Sequence, residues 1–405
     1  MNYGYVRVST KMQHEDRQLI ALTEAGIDGK RIFVDKQSGK DFNRFMYRKM
    51  LRRLKEGDVV FIKSIDRLGR NYDEIIEEWR KITKEKKCDI AIVGAAIADL
   101  QVYPVSKEIT NMASYSAQSM EMKVGGDAIN EAFVITRLGH DVRLISCIGD
   151  DSTGKFLLGQ CEKNGVSTDY IKVDPEKITS LNVGLIWEDG ERTFINNKSG
   201  SIWTFGPDDL DLSAIDGAKM LCFASIFNNP LLDGKFMVQL FERAKAGGMK
   251  IAADIVAAKN GETIDDVREA LSYIDYFFPN YDEAPALPGK SDIDEIADVL
   301  LECGVKNVIL KIGKRGCLVK NSIERFITPA YPKATVVDTT GAGDNFASGF
   351  LSCIMEGKSL EEASGFANCT ASLAIEKIGA TTAIRSRAQA DERYADYLRE
   401  TGLKK

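Results

Sequence analysis

The sequence predicts an α/β protein made of two unequal modules, and three observations carry that prediction. Residues 1 to 88 alternate strand-like and helix-like stretches in βαβαβα order, which specifies a parallel sheet. Residues 336 to 357, VVDTTGAGDNFASGFLSCIMEG, run from a short apolar strand through a Gly-rich turn into an amphipathic helix ended by Gly357. The charge changes sign between the two: residues 1 to 88 carry 21 Lys+Arg against 14 Asp+Glu, and the remainder carries 33 against 46. A chain of 405 residues is also long enough for two or three folding units.

Composition narrows the class. With 44% hydrophobic and 28% charged residues the chain has material for a sizeable core, unlike a disordered or collagen-like sequence. The apolar run AIVGAAIA is far shorter than the roughly 20 residues of a membrane helix, so no membrane span is expected. The opening MNYGYVRVST lacks a basic region followed by an apolar stretch, which makes a cytoplasmic location the expectation. Eight cysteines, at 88, 147, 161, 222, 303, 317, 353 and 369, form no C-x-x-C pair and read as small core residues, not as a zinc or redox site. The basic excess of the first module fits either a nucleic-acid surface or a solvated face.

In the first module, YGYVRVST reads as a strand and DRQLIALTEAG as a helix closed by Gly26. RIFVDKQSG is a second strand and loop, and FNRFMYRKMLRRLKEG a basic helix ending at Gly57. DVVFIKSIDRLGRN is a third strand and loop, and YDEIIEEWRKITKEKK a third helix. Arg7 and Ser9 follow the first strand, Asp35 the second, and Asp66, Arg67 and Arg70 the third, at the strand ends where open α/β sheets build their sites. Several guanidiniums around one hydroxyl suit attack on a phosphodiester, because they hold the phosphate and stabilise its transition-state charge. These stretches resemble the catalytic domain of serine recombinases of the resolvase and invertase type. The resemblance implies Ser9 as nucleophile, Arg7, Arg44, Arg67 and Arg70 as the phosphate clamp, and Gln13, Gln18, Asp35 and Asp66 as ordering partners. That family continues with further strands, a long dimer helix and a helix-turn-helix domain, which nothing after residue 100 supplies. The module is therefore expected to be a truncated remnant that docks on the rest of the chain or on a second copy, without DNA strand exchange.

In the second module the GAGD turn sets the chemistry. Backbone N–H groups of Gly341, Ala342 and Gly343 at a helix N-terminus can hold a developing negative charge. Asp344, just beyond, is placed to accept a proton from a hydroxyl attacking the γ-phosphate of ATP, with helix capping as the plainer alternative. GGDAINEAFVITRLG (125 to 139), IGDDSTG, PNYDEA (279 to 284), ILKIGKRGCLV and DTTGAGD occur in the order and spacing of the ribokinase-like carbohydrate kinases, the PfkB family, and the likeness spans residues 89 to 385. The resemblance implies an αβα sandwich with a small β lid, whose strands are expected at about 180 to 205. It implies that Asp99, Gly125, Gly126, Asp127 and Asn130 bind sugar hydroxyls and that Asn280 and Glu283 order Mg²⁺, although PNYDEA also reads as a turn and helix cap. Lys311, Gly313 and Gly316 would lie along the nucleotide, with Lys311 otherwise a solvated strand end, and Asn368 near the adenine. Asp338 and Thr340, with the loop near Gly379, would hold a monovalent cation such as K⁺. GDDSTGKF nearly spells a P-loop, but Phe156 stands where a hydroxyl should reach Mg²⁺, so that reading is rejected. Asp127 replaces the lysine or small residue of several relatives, so ribose or fructose specificity does not transfer.

DIAIVG, at the seam, satisfies the strand that both families need, and the exit AAIADL fits the kinase. The expected domains are thus residues 1–88 and 89–405. The expected activity is ATP-dependent phosphorylation of a hydroxymethyl group on a sugar or nucleoside, by a homodimer using Mg²⁺. The rival is a DNA-binding or DNA-cleaving protein acting through Ser9.

Overall fold

Alternation along the strands, apolar on both faces, dictates sheets covered by helices, and the computed structural model shows two such assemblies. It describes residues 2–8, 16–36, 44–54, 59–62, 88–188, 192–281 and 292–402. The chain divides into two units, Met1–Cys88 and Asp89–Lys405.

In the first unit, β1 (Asn2–Val8), β2 (Ile32–Lys36) and β3 (Val59–Ile62) form a parallel sheet in the order β2-β1-β3. Alternate residues of β1 serve opposite faces, as the strand period requires. Tyr3 and Tyr5 pack with Phe33, Tyr47, Met50 and Leu54, whereas Val6 packs with Leu22 and Ile27. Helices Asp16–Glu24 and Phe45–Arg53 supply the covering residues. The helix expected over 72–87 lies outside the described residues.

The second unit holds a nine-stranded sheet and a four-stranded one. The larger contains β4 (Cys88–Val93), β7 (Val142–Gly149), β8 (Ile171–Asp174), β11 (Ala218–Ile226), β12 (Lys250–Ile255), β13 (Tyr276–Phe278), β14 (Asn307–Lys311), β15 (Cys317–Asn321) and β16 (Arg325–Thr328). Its order is β16-β15-β14-β13-β12-β11-β4-β7-β8, so the seam strand β4 sits between β11 and β7, inside the nine-stranded sheet. The β11-to-β14 run is parallel, and β15 and β16 close the edge as antiparallel strands.

Three layers follow from β11. Met220, Cys222 and Ala224 join one cluster with Ile129 and Phe133 of helix Asp127–Arg137 and Phe346 and Phe350 of helix Ala342–Met355. The intervening Phe223 faces the other way and meets Phe241 of helix Gly234–Ala246 edge-on, ring centroids 5.9 Å apart. Phe350 is fully buried against Phe278, at 5.2 Å, and Tyr276, at 5.8 Å. Phe350→Ala is expected to lower unfolding free energy by about 3–5 kcal/mol, read by urea denaturation, because a close-packed interior cannot refill a ring-sized void. All eight cysteines are buried and none is in a disulfide, as small core residues should be.

The smaller sheet runs β10 (Arg192–Asn196), β9 (Leu181–Trp187), β5 (Ile97–Val105), β6 (Ser119–Gly125). Two of its strands come from residues 97–125, whereas the sequence placed the lid near 180–205 alone. Within that stretch, residues 201–204 form a short helix and not a strand, because Gly200 and Ser201 turn the chain and Ile202 N–H is taken by the Ser180 hydroxyl. The strand expected before the GAGD turn is also absent. Val337 and Asp338 donate their N–H groups to the Ile375 carbonyl at a helix end, which leaves Val336 and Val337 exposed outside any sheet. Among the described residues no helix is long and apolar enough to cross a membrane.

Candidate active site

Parallel strands deliver their polar residues at their carboxyl ends, and two helices point their N-termini at the same place. Helix Ala342–Met355 begins after Gly341, whose φ of 73° is left-handed. A Cβ built on Gly341 would lie 2.5 Å from Ala380 Cβ, so only glycine fits both the backbone and the space. Asn345 locks this turn: its Nδ2 donates to the carbonyls of Gly341 and Ala380, each at 2.7 Å. Helix Asp127–Arg137 begins after Gly126, where φ is 96° and a Cβ would meet the Ala95 carbonyl oxygen at 2.6 Å.

The two helix starts are joined by their side chains. Asn130, buried, donates from Nδ2 to Asp344 Oδ2 at 2.8 Å, which holds one carboxylate oxygen in place. Lys311, at the end of β14, donates to Asp254 Oδ2 at 2.6 Å, and Asp254 lies near the end of β12. A Cβ on Gly343 would stand 3.1 Å from Lys311 Nζ and 3.9 Å from Asp254 Oδ2, so this ion pair borders the helix N-terminus. Of the expected anion-hole donors, Ala342 N–H is instead spent on the Thr339 carbonyl, because the turn closes on itself there. Gly343, in the first helical turn, has no intrahelical acceptor for its N–H.

Electrostatics follow from crowding carboxyls in a desolvated site. Burial, reinforced by the charge on Asp127, pushes the Asp344 carboxyl up to about 7, against the lowering effects of Asn130 and Lys311. Burial likewise raises Asp127 to about 6, despite hydrogen bonds from Ser225, the Ala128 N–H and Asn228. Glu131 is fully buried, accepts a hydrogen bond from the Cys222 thiol at 3.1 Å, and is held well above the usual carboxylate range by burial and by Asp344.

At the lid, Asp99 lies on β5 beside Lys123 of β6 and Asn182 of β9, and Asn182 Nδ2 donates to Asp99 Oδ1 at 3.0 Å. Burial raises its carboxyl too. Gly125 leaves room for it: a Cβ there would be 2.3 Å from Asp99 Oδ2. Gly125→Ala is expected to displace Asp99 from Asn182 and to lower unfolding free energy by about 1–3 kcal/mol, read by urea denaturation.

The remaining expected positions fall as follows. Asn280 follows β13 and bridges to Lys311, while Glu283 lies outside the described residues. Gly313 and Gly316 form the turn after β14, and Gly316 packs so closely that a Cβ would sit 2.0 Å from the Thr328 carbonyl oxygen. Asn368 is buried and donates its amide to that same carbonyl at 3.2 Å, so it acts on the Thr328 segment. Asp338 accepts from Thr340 N–H and Oγ1 and from Gly379 N–H, tying the two loops together. In the first unit, Arg7 and Arg44 are buried; Gln18 brackets the Arg7 backbone, and Arg44 Nη1 donates to Tyr5 OH. Asp35 caps the Phe45–Arg53 helix at Met46 and Tyr47 N–H. Ser9, Gln13, Asp66, Arg67 and Arg70 lie outside the described residues.

Sequence reasoning missed Asp254, Glu131, Asn345, Asn182, Ser225, Asn228 and Lys259. Only the backbone signals the group around Asn228: Ser225 and Phe227 adopt left-handed φ of 62° and 72° without being glycine. Such strain gathers where a turn must present particular groups.

A helix N-terminus beside a poised carboxylate and a lysine, with a further buried carboxyl, Asp99, on the smaller sheet, fits an α/β phosphotransferase. The pfkB family carbohydrate kinase model matches residues 87–387, and the chain belongs to that family. A resolvase N-terminal domain model matches residues 2–121, overlapping the kinase match at β4, β5 and the start of β6, which here lie in the kinase sheets. The chain is 28% identical to a ribokinase of Haemophilus influenzae over 68% of this chain and 88% of the relative. It is also 28% identical to a 2-dehydro-3-deoxygluconokinase of Dickeya dadantii, over 72% of this chain and 96% of that one. The structure of Arabidopsis thaliana ribokinase complexed with ribose and ATP superposes with a TM-score of 0.67 at 25% identity, covering 76% of this chain and 99% of the other.

Proposed function

We propose that the second unit transfers the γ-phosphoryl group of ATP to a hydroxymethyl group of a sugar or nucleoside, with Asp344 as the base. The observation that carries this reading is the Asn130 to Asp344 hydrogen bond at a helix N-terminus bordered by Lys311. With Oδ2 held by Asn130, Oδ1 of Asp344 is left to accept the substrate hydroxyl proton. The hydroxyl oxygen bonds to the γ-phosphorus, the bond to the β–γ bridging oxygen breaks, and ADP leaves. Gly343 N–H, the helix dipole and Lys311 face the phosphoryl oxygens, where negative charge grows. Asp99, with Gly125 and Gly126 opening the space, and Asp127 would accept hydroxyl hydrogens of the sugar.

Asp254 and the Asn280 amide, with Glu283, supply hard oxygen donors of the kind Mg²⁺ takes alongside phosphates and water, and these residues would hold it. Bound Mg²⁺ would neutralise phosphate charge. Gly313 and Gly316, held in their turn by Thr328 and Asn368, would line the nucleotide. A monovalent cation at the Asp338–Gly379 junction is a further part of the proposal, tested by the dependence of rate on KCl. The relatives' names and the ribose and ATP of the Arabidopsis neighbour support the substrate class. We also propose domain limits of 1–88 and 89–405, a homodimer and a cytoplasmic location.

ADP release by the full chain across pentoses, hexoses, keto-deoxy sugar acids and nucleosides tests the reading. Turnover on one member, abolished by EDTA, is expected; ADP release independent of any acceptor would contradict it. The resolvase match sustains a second reading, DNA cleavage through Ser9. A covalent Ser9 adduct on duplex DNA would establish it, and the buried positions of Arg7 and Arg44 speak against such a clamp.

A further inference from the structure

Beyond Asp127 the site contains a positive charge that the phosphotransfer chemistry does not use. Asn130 and Asp127 lie one turn apart on the same helix. The first holds Asp344, and the second accepts a hydrogen bond from Asn228 Nδ2 at 2.6 Å. Lys259 in turn donates to the Asn228 backbone carbonyl at 2.6 Å and to its side-chain oxygen at 2.8 Å. The ammonium also sits 5.0 Å from the ring centroid of Trp203. Among the described residues no carboxylate forms an ion pair with Lys259, and the Trp203 indole N–H is buried without an acceptor. Burial holds the Lys259 pKa below the usual lysine range, opposed only by the more distant charges of Asp127 and Glu262.

A desolvated ammonium without a counter-ion is costly, and so is a buried N–H without an acceptor. One anion with two acceptor oxygens satisfies both. The strained Ser225–Phe227 turn fixes Asn228 between Asp127 and Lys259, so the position of this charge relative to the hydroxyl-binding carboxyl is built into the fold. Resting on the phosphotransfer reading above, we propose that Lys259 and the Trp203 indole N–H receive a carboxylate of the acceptor, so that the substrate is a sugar acid. Its carboxylate lies at the end remote from the hydroxyl that Asp344 serves. Lys198, whose ammonium stands 5.9 Å from the Trp203 ring centroid, is exposed, so Lys259 is the partly buried ammonium beside the indole N–H, and that pair matches a single carboxylate better than a phosphate dianion.

The test compares 2-dehydro-3-deoxygluconate with ribose and fructose as acceptors for the full chain, in wild type, Lys259→Met and Lys259→Arg. The expected result is a kcat/KM at least about 10-fold higher for the acid. Lys259→Met should lower that preference by about 10- to 100-fold, mainly through KM, as loss of one charge-assisted hydrogen bond does. Lys259→Arg should restore part of it. Calorimetric titration of Asp344→Asn protein reads the same preference as binding, without turnover. A wild type that favours a neutral sugar, or a Lys259→Met loss equal on both classes, overturns the assignment while leaving phosphotransfer standing. If no acceptor is phosphorylated, the phosphotransfer reading falls. In that case tight binding of the acid, weakened by Lys259→Met, would still support the carboxylate site, and its absence would overturn that too.

Discussion

Asp344→Asn is expected to lower kcat by about 10²–10⁴-fold while KM values for both substrates stay within a few-fold, because in the proposed reaction the change removes the base and little else. The asparagine side-chain oxygen can still accept from Asn130 Nδ2, so the local fold is kept. The pH profile gives the sign independently. With the Asp344 carboxyl pushed up to about 7, the proposed base is mostly protonated at pH 6 and mostly ionised at pH 8, so the wild-type rate is expected to rise through that interval. Stability runs the other way. The unfolded chain releases this proton near the ordinary aspartate value and the folded chain releases it near 7, so between those values the folded state binds more protons. Ionising the group therefore costs stability as pH rises from about 4 to 7. Asp344→Asn escapes that cost and should be the more stable protein at pH 8, by on the order of 1–3 kcal/mol, with no such gain near pH 4. Thermal melts at the two pH values check it.

Gly341→Ala is the second large effect. The new Cβ would demand left-handed backbone from alanine and would stand 2.5–2.6 Å from the Cβ and Cα of Ala380, which cannot yield as a flexible side-chain tip would. The Asn345 amide that ties Gly341 to Ala380 must then let go of one of its two carbonyls. The helix start is then expected to turn away from the proposed phosphoryl site and kcat to fall about 10²–10³-fold, the scale of a lost transition-state donor. Strain and the broken buried hydrogen bonds should also cost about 2–4 kcal/mol of stability. Circular dichroism at 25 °C separates a folded but inactive variant from an unfolded one.

Much of the architecture was legible because its signals are local. Glycine punctuation at Gly26 and Gly357, helical apolar spacing at Phe346 and Phe350, and the GAGD turn read directly as helix ends, core and a helix start. What stayed hidden depends on distant partners. Asp254 and Lys311 are 57 residues apart and meet only because β12 and β14 flank β13 in the sheet. Glu131 looks like a surface residue one step along from Asn130, yet it is fully buried against Cys222 on strand β11. Val336 and Val337 look like a strand and are not, since their partner is the end of a helix. The lid was half-seen for a similar reason: β9 and β10 alternate visibly, whereas β5 continues the apolar run of the seam and β6 carries mixed charge.

The measurement that bears most directly on the central claim is ³¹P NMR of the product from full-length protein, ATP, Mg²⁺ and the best acceptor, run beside Asp344→Asn. The account predicts a phosphomonoester on the acceptor's hydroxymethyl carbon, formed in step with ADP by the wild type and missing from the variant. Free phosphate without an ester, or an ester formed equally well without the Asp344 carboxylate, would contradict it.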